Sequence, residues 1–137
     1  TSGYAPAESY QQVARQMDLV IQDIKLLDPA AHRYYTGVDN AMILHNVCWL
    51  VHSGIPFRIR VPLIPTVNDN PAMMEGIVHL LEGAHALEKV ELLPYNTAAG
   101  AKYAGLSMDY QPQFPVSRKP NIPIEPFKEA GIPCDIL

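Results

Sequence analysis

A chain of 137 residues that is 48% hydrophobic and 18% charged has enough apolar material for one domain-sized core, which excludes wholesale disorder. Its formal net charge is −4 and its ten Lys and Arg residues are scattered, so it lacks the basic footprint of a nucleic-acid or anionic-membrane binder. No apolar run reaches the ~18 residues of a spanning helix and no secretory leader opens the sequence, so a cytoplasmic setting is expected.

In chain order, the opening TSGYAP, with Ser2, Gly3 and Pro6 as turn residues, reads as the close of one element caught midway, as in a piece of a longer chain. A short helix is predicted over residues 7–16. Residues 19–26 form a Val-, Ile- and Leu-rich run, the pattern of a buried strand. In NAMILHNVCWLVHSG, Ile43, Val47, Leu50 and Val51 share a helical face, with Asn40 as N-cap and Gly54 as the stop. A second strand, FRIRVPLI, covers residues 57–64. The next helix takes Asn70 as its cap and Pro71 at its first position, and ends near Gly83. A third strand, KVELLPY, covers residues 89–95.

Strands alternating with helices of this length predict right-handed βαβ crossovers and an α/β fold with about three parallel strands. The body is expected over residues 1–110. Prolines 112, 115, 120, 123, 126 and 133 make residues 111–137 an irregular Pro-rich tail, closing in a short extended segment at CDIL.

The downstream strand ends carry the candidate chemistry. Asp23 and Lys25 lie two apart, hence on one face of an extended chain. Arg60 and Asn96 follow at intervals of about one βα unit. Ligands of parallel α/β sheets sit at the carboxyl ends of the strands, so these four side chains form a candidate site. The same pattern fits a structural ion pair of Asp23 and Lys25 with Arg60 as a shielded neighbour. PTVNDNP reads as a turn before a helix cap. His32, His45, His52, His79 and His85 lack ligand spacing and read as surface or core residues. Trp49 and Met42 read as packing, and Cys48 and Cys134 as buried thiols with no zinc or disulfide spacing.

TSGYA, DLVIQDIKLLDPAAHRYYTGV, NAMILHN, IRVPLIPTVND, VELLPYN and GAKYAGL, in this order, resemble the carboxyl-terminal half of radical S-adenosylmethionine (SAM) glycyl-radical enzyme activating proteins, the family of pyruvate formate-lyase activating enzyme. The resemblance implies half of a β/α barrel. It places Asp23 and Lys25 at SAM, with the Lys25 ammonium on the methionyl carboxylate, and Arg60 in the same pocket. Thr1 and Asp23 match a monovalent cation site. Asn96 stands where some members carry a histidine, and its amide can hydrogen-bond SAM but cannot titrate near neutrality.

The family's chemistry also needs a 4Fe-4S cluster on a CxxxCxxC loop, which this sequence lacks. The chain alone is therefore expected to be inactive, with an open inner face and an unpaired strand edge that either drives self-association or is covered by the Pro-rich tail. The longer protein is expected to place a glycyl radical on a partner such as pyruvate formate-lyase. Two other classes stay open. One is an aldolase-type lyase with Lys25 as Schiff-base nucleophile; the other is a non-catalytic, partner-binding half barrel.

Overall fold

The computed structural model describes residues 1–95, 103, 105–107, 109 and 111–137. Helix α1 (Ala7–Ala14) leads to β1 (Val20–Asp23), followed by α2 (Pro29–Thr36), α3 (Ala41–His52), β2 (Phe57–Leu63), α4 (Pro71–Leu80), β3 (Leu87–Pro94), α5 (Glu125–Glu129) and β4 (Cys134–Ile136). The four strands make one sheet in the order β1-β2-β3-β4, and every pairing is parallel. The α/β class and the first three strands follow the sequence pattern.

Alternation sets the layers. Phe57, Ile59, Val61 and Leu63 of β2 are fully buried, while Arg58, Arg60 and Pro62 between them are part-exposed. The first set packs with Ile43, Val47 and Leu50 of α3, Met74 and Ile77 of α4, and Phe127 of α5 in a single core. Burial at about 25 cal/mol per Å² of apolar surface makes this layer the main source of stability. Among the described residues, no helix is long and apolar enough to cross a membrane.

Helices α2 and α5 are not among the predicted elements, and the extended segment expected at CDIL forms β4, one strand more than the three expected. Helix α2 is bounded by local signals: Asp28 accepts from Ala31 N at 2.7 Å, Pro29 sits in the first turn, and Gly37 closes the helix at φ 85°. That is the asymmetric start and stop of a short helix. The tail is more ordered than its prolines suggest. Pro126 occupies the first turn of α5, where its missing N–H costs no helical bond, and β4 joins the sheet as its fourth strand.

The tail also crosses the strand ends, with Phe114 packing edge-on against Tyr95 at 5.0 Å between ring centroids. Among the described residues its strand β4 lies at the opposite side of the sheet from the β1 edge. At that first edge Thr1 N donates to Ile21 O at 2.8 Å and Asp23 N to Thr1 O at 2.9 Å, the bond pattern of a parallel bridge. A groove of about 480 Å³ opens beside it, walled by Tyr10, Val13, Ala14, Met17 and Val20.

Candidate functional site at the carboxyl ends of the strands

Asp23 and Arg60 are register partners on β1 and β2, so their side chains leave the same face of the sheet. This face is the one turned away from the helices. Lys25 follows two residues after Asp23, and its Nζ lies 3.4 Å from Asp23 Oδ2, both side chains more than one-third exposed. The structure thus brings Asp23, Lys25 and Arg60 to one face and one end of the sheet. Asn96 lies outside the described residues. Thr1 joins them through its backbone bond to Asp23, while its Oγ1 accepts from Gly3 N at 3.2 Å.

Arg60 neighbours the Asp23–Lys25 pair in register, but its own ion pair lies on the other side, with β3. Its Nε donates to Glu91 Oε2 at 2.6 Å across the β2/β3 register. Arg58 and Lys89 approach the other oxygen of Glu91 at 3.5 and 3.3 Å, and Lys89 also reaches Asp135 on β4 at 2.7 Å. The Glu91 side chain is only 3% exposed. First the Arg60 hydrogen bond and then Lys89 hold its carboxyl below the usual glutamate range, against the opposing effect of burial. A glutamate within the apolar run VELL was the signal for this centre, because an acid inside a strand core demands cationic partners.

The chain leaving β1 is fixed by side-chain amides. The last backbone bond from β1 to β2 is Ile24 N to Arg60 O at 2.8 Å. Beyond it, Asn68 Nδ2 donates to Lys25 O at 2.8 Å, and Asn40 Nδ2 donates to Leu26 O and Leu27 O at 2.9 and 2.8 Å. This ends the strand sooner than the apolar run predicts. It also corrects the role of Asn40: it occupies the N-cap position of α3, but its side chain makes no cap bond, and Asp39 Oδ1 accepts from Ala41 N instead.

The PTVNDNP segment does form a turn, and Asn70 caps α4 by accepting from Met73 N at 3.0 Å. A cavity of about 280 Å³ lies here, lined by Lys25, Tyr35, Thr36, Pro62, Asn68 and Phe114 among others.

The remaining candidates fall elsewhere. His32 is buried, with Nδ1 2.7 Å from Val38 O, and His79 pairs with Glu82 on the surface. Trp49 packs edge-on against Tyr10, but Met42 is 38% exposed. Cys48 is exposed on α3 rather than buried, because it lies off the face carrying Val47 and Leu50. Cys134 is half-buried on β4, and burial raises its thiol to about 11. Among the described residues, no group of three or more His, Cys, Asp or Glu side chains could hold a metal ion.

A four-stranded parallel sheet under helices, with charged side chains at the carboxyl ends of its strands, defines an α/β domain. No family model matches the sequence. The chain is 36% identical over 113 residues to the choline trimethylamine-lyase activating enzyme of Oleidesulfovibrio alaskensis, covering 80% of this chain and 36% of that protein. It is 37% identical to the trans-4-hydroxy-L-proline dehydratase activating enzyme of Clostridioides difficile, covering 81% and 37%. It is 30% identical to the pyruvate formate-lyase-activating enzyme of Clostridium pasteurianum, covering 81% and 46%.

A crystal structure of a domain of pyruvate-formate lyase-activating enzyme from Bacteroides vulgatus superposes with a TM-score of 0.76 at 25% identity, covering all of this chain and 78% of that one. The chain is a homologue of part of the glycyl-radical enzyme activating enzymes. It spans between about one-third and one-half of the length of these curated relatives.

Proposed function

We propose that this chain is the SAM-holding, carboxyl-terminal part of a longer, cytoplasmic radical SAM activating enzyme. Its target is a glycyl-radical enzyme, pyruvate formate-lyase being one candidate. The observation that carries the reading is the placement of Lys25 and Arg60 on one face at one end of a parallel sheet, within a chain homologous to activating enzymes.

The donor set suits the amino-acid end of SAM. An ammonium and a guanidinium on one face favour a carboxylate through charge-assisted hydrogen bonds, and Lys25 borders a cavity of about 280 Å³. Asp23 holds the Lys25 ammonium in place. Glu91 orients Arg60 through Nε. The oxygens of Thr1 and the Asp23 carboxylate are the groups for a monovalent cation, and Asn96 adds an amide. Held there in the longer enzyme and given one electron by that enzyme's cluster, SAM would release methionine and supply a 5′-deoxyadenosyl radical for hydrogen abstraction from glycine. The cluster that cleaves it does not fit this chain, whose two cysteines cannot furnish three thiolates, so the chain alone is inactive.

The lyase reading has less support. Lys25 is 40% exposed and paired with a carboxylate, whereas a Schiff-base lysine needs an apolar or cationic setting to lose its proton. The partner-binding reading rests on the β1 edge, bridged among the described residues only at Thr1, which in the isolated chain favours self-association beside an apolar groove.

Equilibrium SAM titration of the longer, cluster-loaded enzyme tests the proposal. Lys25→Ala is expected to weaken binding by about 1.5–3 kcal/mol; unchanged affinity would sink it.

A further inference from the structure

We infer that Asn68 is the positioning residue for Lys25, an inference that rests on the SAM reading above. Asn68 lies in the turn between β2 and α4, is 2% exposed, and uses its whole amide. Nδ2 donates to Lys25 O at 2.8 Å and to Pro62 O at 2.7 Å, and Oδ1 accepts from Ile64 N at 2.7 Å. One side chain therefore ties the exit of β1 to the exit of β2, one residue past the last β1–β2 backbone bond found, Ile24 N to Arg60 O. Because the tie falls on the Lys25 peptide, it fixes where the Lys25 side chain starts. Asn68 and Lys25 also line the same cavity.

The turn that carries Asn68 is itself braced. Thr66 has φ 66°, a left-handed conformation unfavourable for a non-glycine residue, and such strain persists only where the surroundings impose it. Here Asp69 imposes it: Oδ1 accepts from Thr66 N at 2.7 Å and Oδ2 from Asn121 N at 2.8 Å. Asp69 is also buried. A plain connecting turn does not need two buried polar side chains and a residue at positive φ. A turn that must hold one carbonyl of a neighbouring strand does.

The test is a double-variant cycle in the longer, cluster-loaded enzyme, read by equilibrium SAM binding. Asn68→Asp keeps the acceptor for Ile64 N but loses both donations. It is expected to weaken SAM binding about tenfold when Lys25 is present and less than twofold in a Lys25→Ala background. Equal losses in both backgrounds, or no loss with Lys25 present, overturn the inference.

A ligand-free readout separates this from the SAM reading. After 13C reductive methylation, the Lys25 resonance is expected to move to the position of a mobile lysine in Asn68→Asp, with the other lysine resonances unmoved. An unmoved Lys25 resonance overturns the inference whatever SAM does. Loss of SAM affinity on Lys25→Ala alone, with no dependence on Asn68, leaves the SAM reading standing and removes this one. If Asn68→Asp does not fold, Asn68→Ser runs the same cycle; failure of both to fold assigns Asn68 to the fold alone and overturns it as well.

Discussion

On β2, Phe57, Ile59, Val61 and Leu63 turn to the helices and are fully buried, whereas Arg58 and Arg60 turn to the other face and bind carboxylates. The two faces share one backbone, so the difference is chemical. The helix-facing side is apolar, and its stabilisation scales with the surface it removes from water. The other face carries Asp23, Lys25, Arg58, Arg60, Lys89, Glu91 and Asp135, knitted by ion pairs. Buried ionic groups give up hydration that their pairing only partly returns, so this face contributes less to stability and more to specificity. In the proposed function the charged face serves a ligand, and the apolar one keeps it still.

Substitutions on the two faces should separate these roles. Ile59→Ala, at the centre of the apolar face, is expected to destabilise by roughly 2–5 kcal/mol, read as a fall in the denaturant midpoint at constant slope. A loss under 1 kcal/mol would mean that this layer does not hold the fold. Glu91→Ala deprives Arg58, Arg60 and Lys89 of a shared acceptor and is expected to cost about 1.5–3 kcal/mol. Calorimetry against Glu91→Gln, which keeps the shape, separates charge from packing.

Acid titration should discriminate further. The folded Glu91 carboxyl is held below the usual glutamate range, first by the Arg60 N–H bond. Its contribution is therefore whole above the unfolded glutamate value, and is lost as pH falls through the folded one. Asp39, held low chiefly by Arg33, titrates in the same direction on the exposed surface. Melting temperature followed downward from pH 5 should fall less steeply in Glu91→Gln than in the parent. Matching slopes would assign the acid limb elsewhere. The smallest effect should come from Asp135→Ala, whose pair with Lys89 is half-exposed: about 0.2–1 kcal/mol, read by denaturant midpoint.

The apolar layer was legible in the sequence because it is periodic. Runs at 19–26, 57–64 and 89–95 mark β1, β2 and β3, and the face of Ile43, Val47, Leu50 and Val51 marks α3. Asp23, Lys25 and Arg60 were legible for the same reason, since polar residues stand out at the ends of apolar strands. Helix α2 carried its signals at Asp28, Pro29 and Gly37, but eight residues are too few for periodicity to speak. Glu91 was hidden because its three cations come from different positions on two strands, a relation only the register creates. Asn40 and Asn68 were hidden by their own plausibility. Each sits where a cap or turn residue belongs, and only the fold reveals that both amides reach the carbonyls following Ile24.

The fourth strand has a consequence for how the chain is made. Val90 pairs with Cys134 and Leu92 with Ile136, so the partner of β3 is encoded some forty residues after it. At about 5–20 residues per second on the ribosome, β3 waits roughly 2 to 8 seconds for β4 to be synthesised. Throughout that interval a parallel strand carrying Val90 and Leu92 has one ladder edge open to any nascent neighbour. The helices arrive in time to cover the face of the sheet. Its flank is guarded only when Cys134, Asp135 and Ile136 emerge.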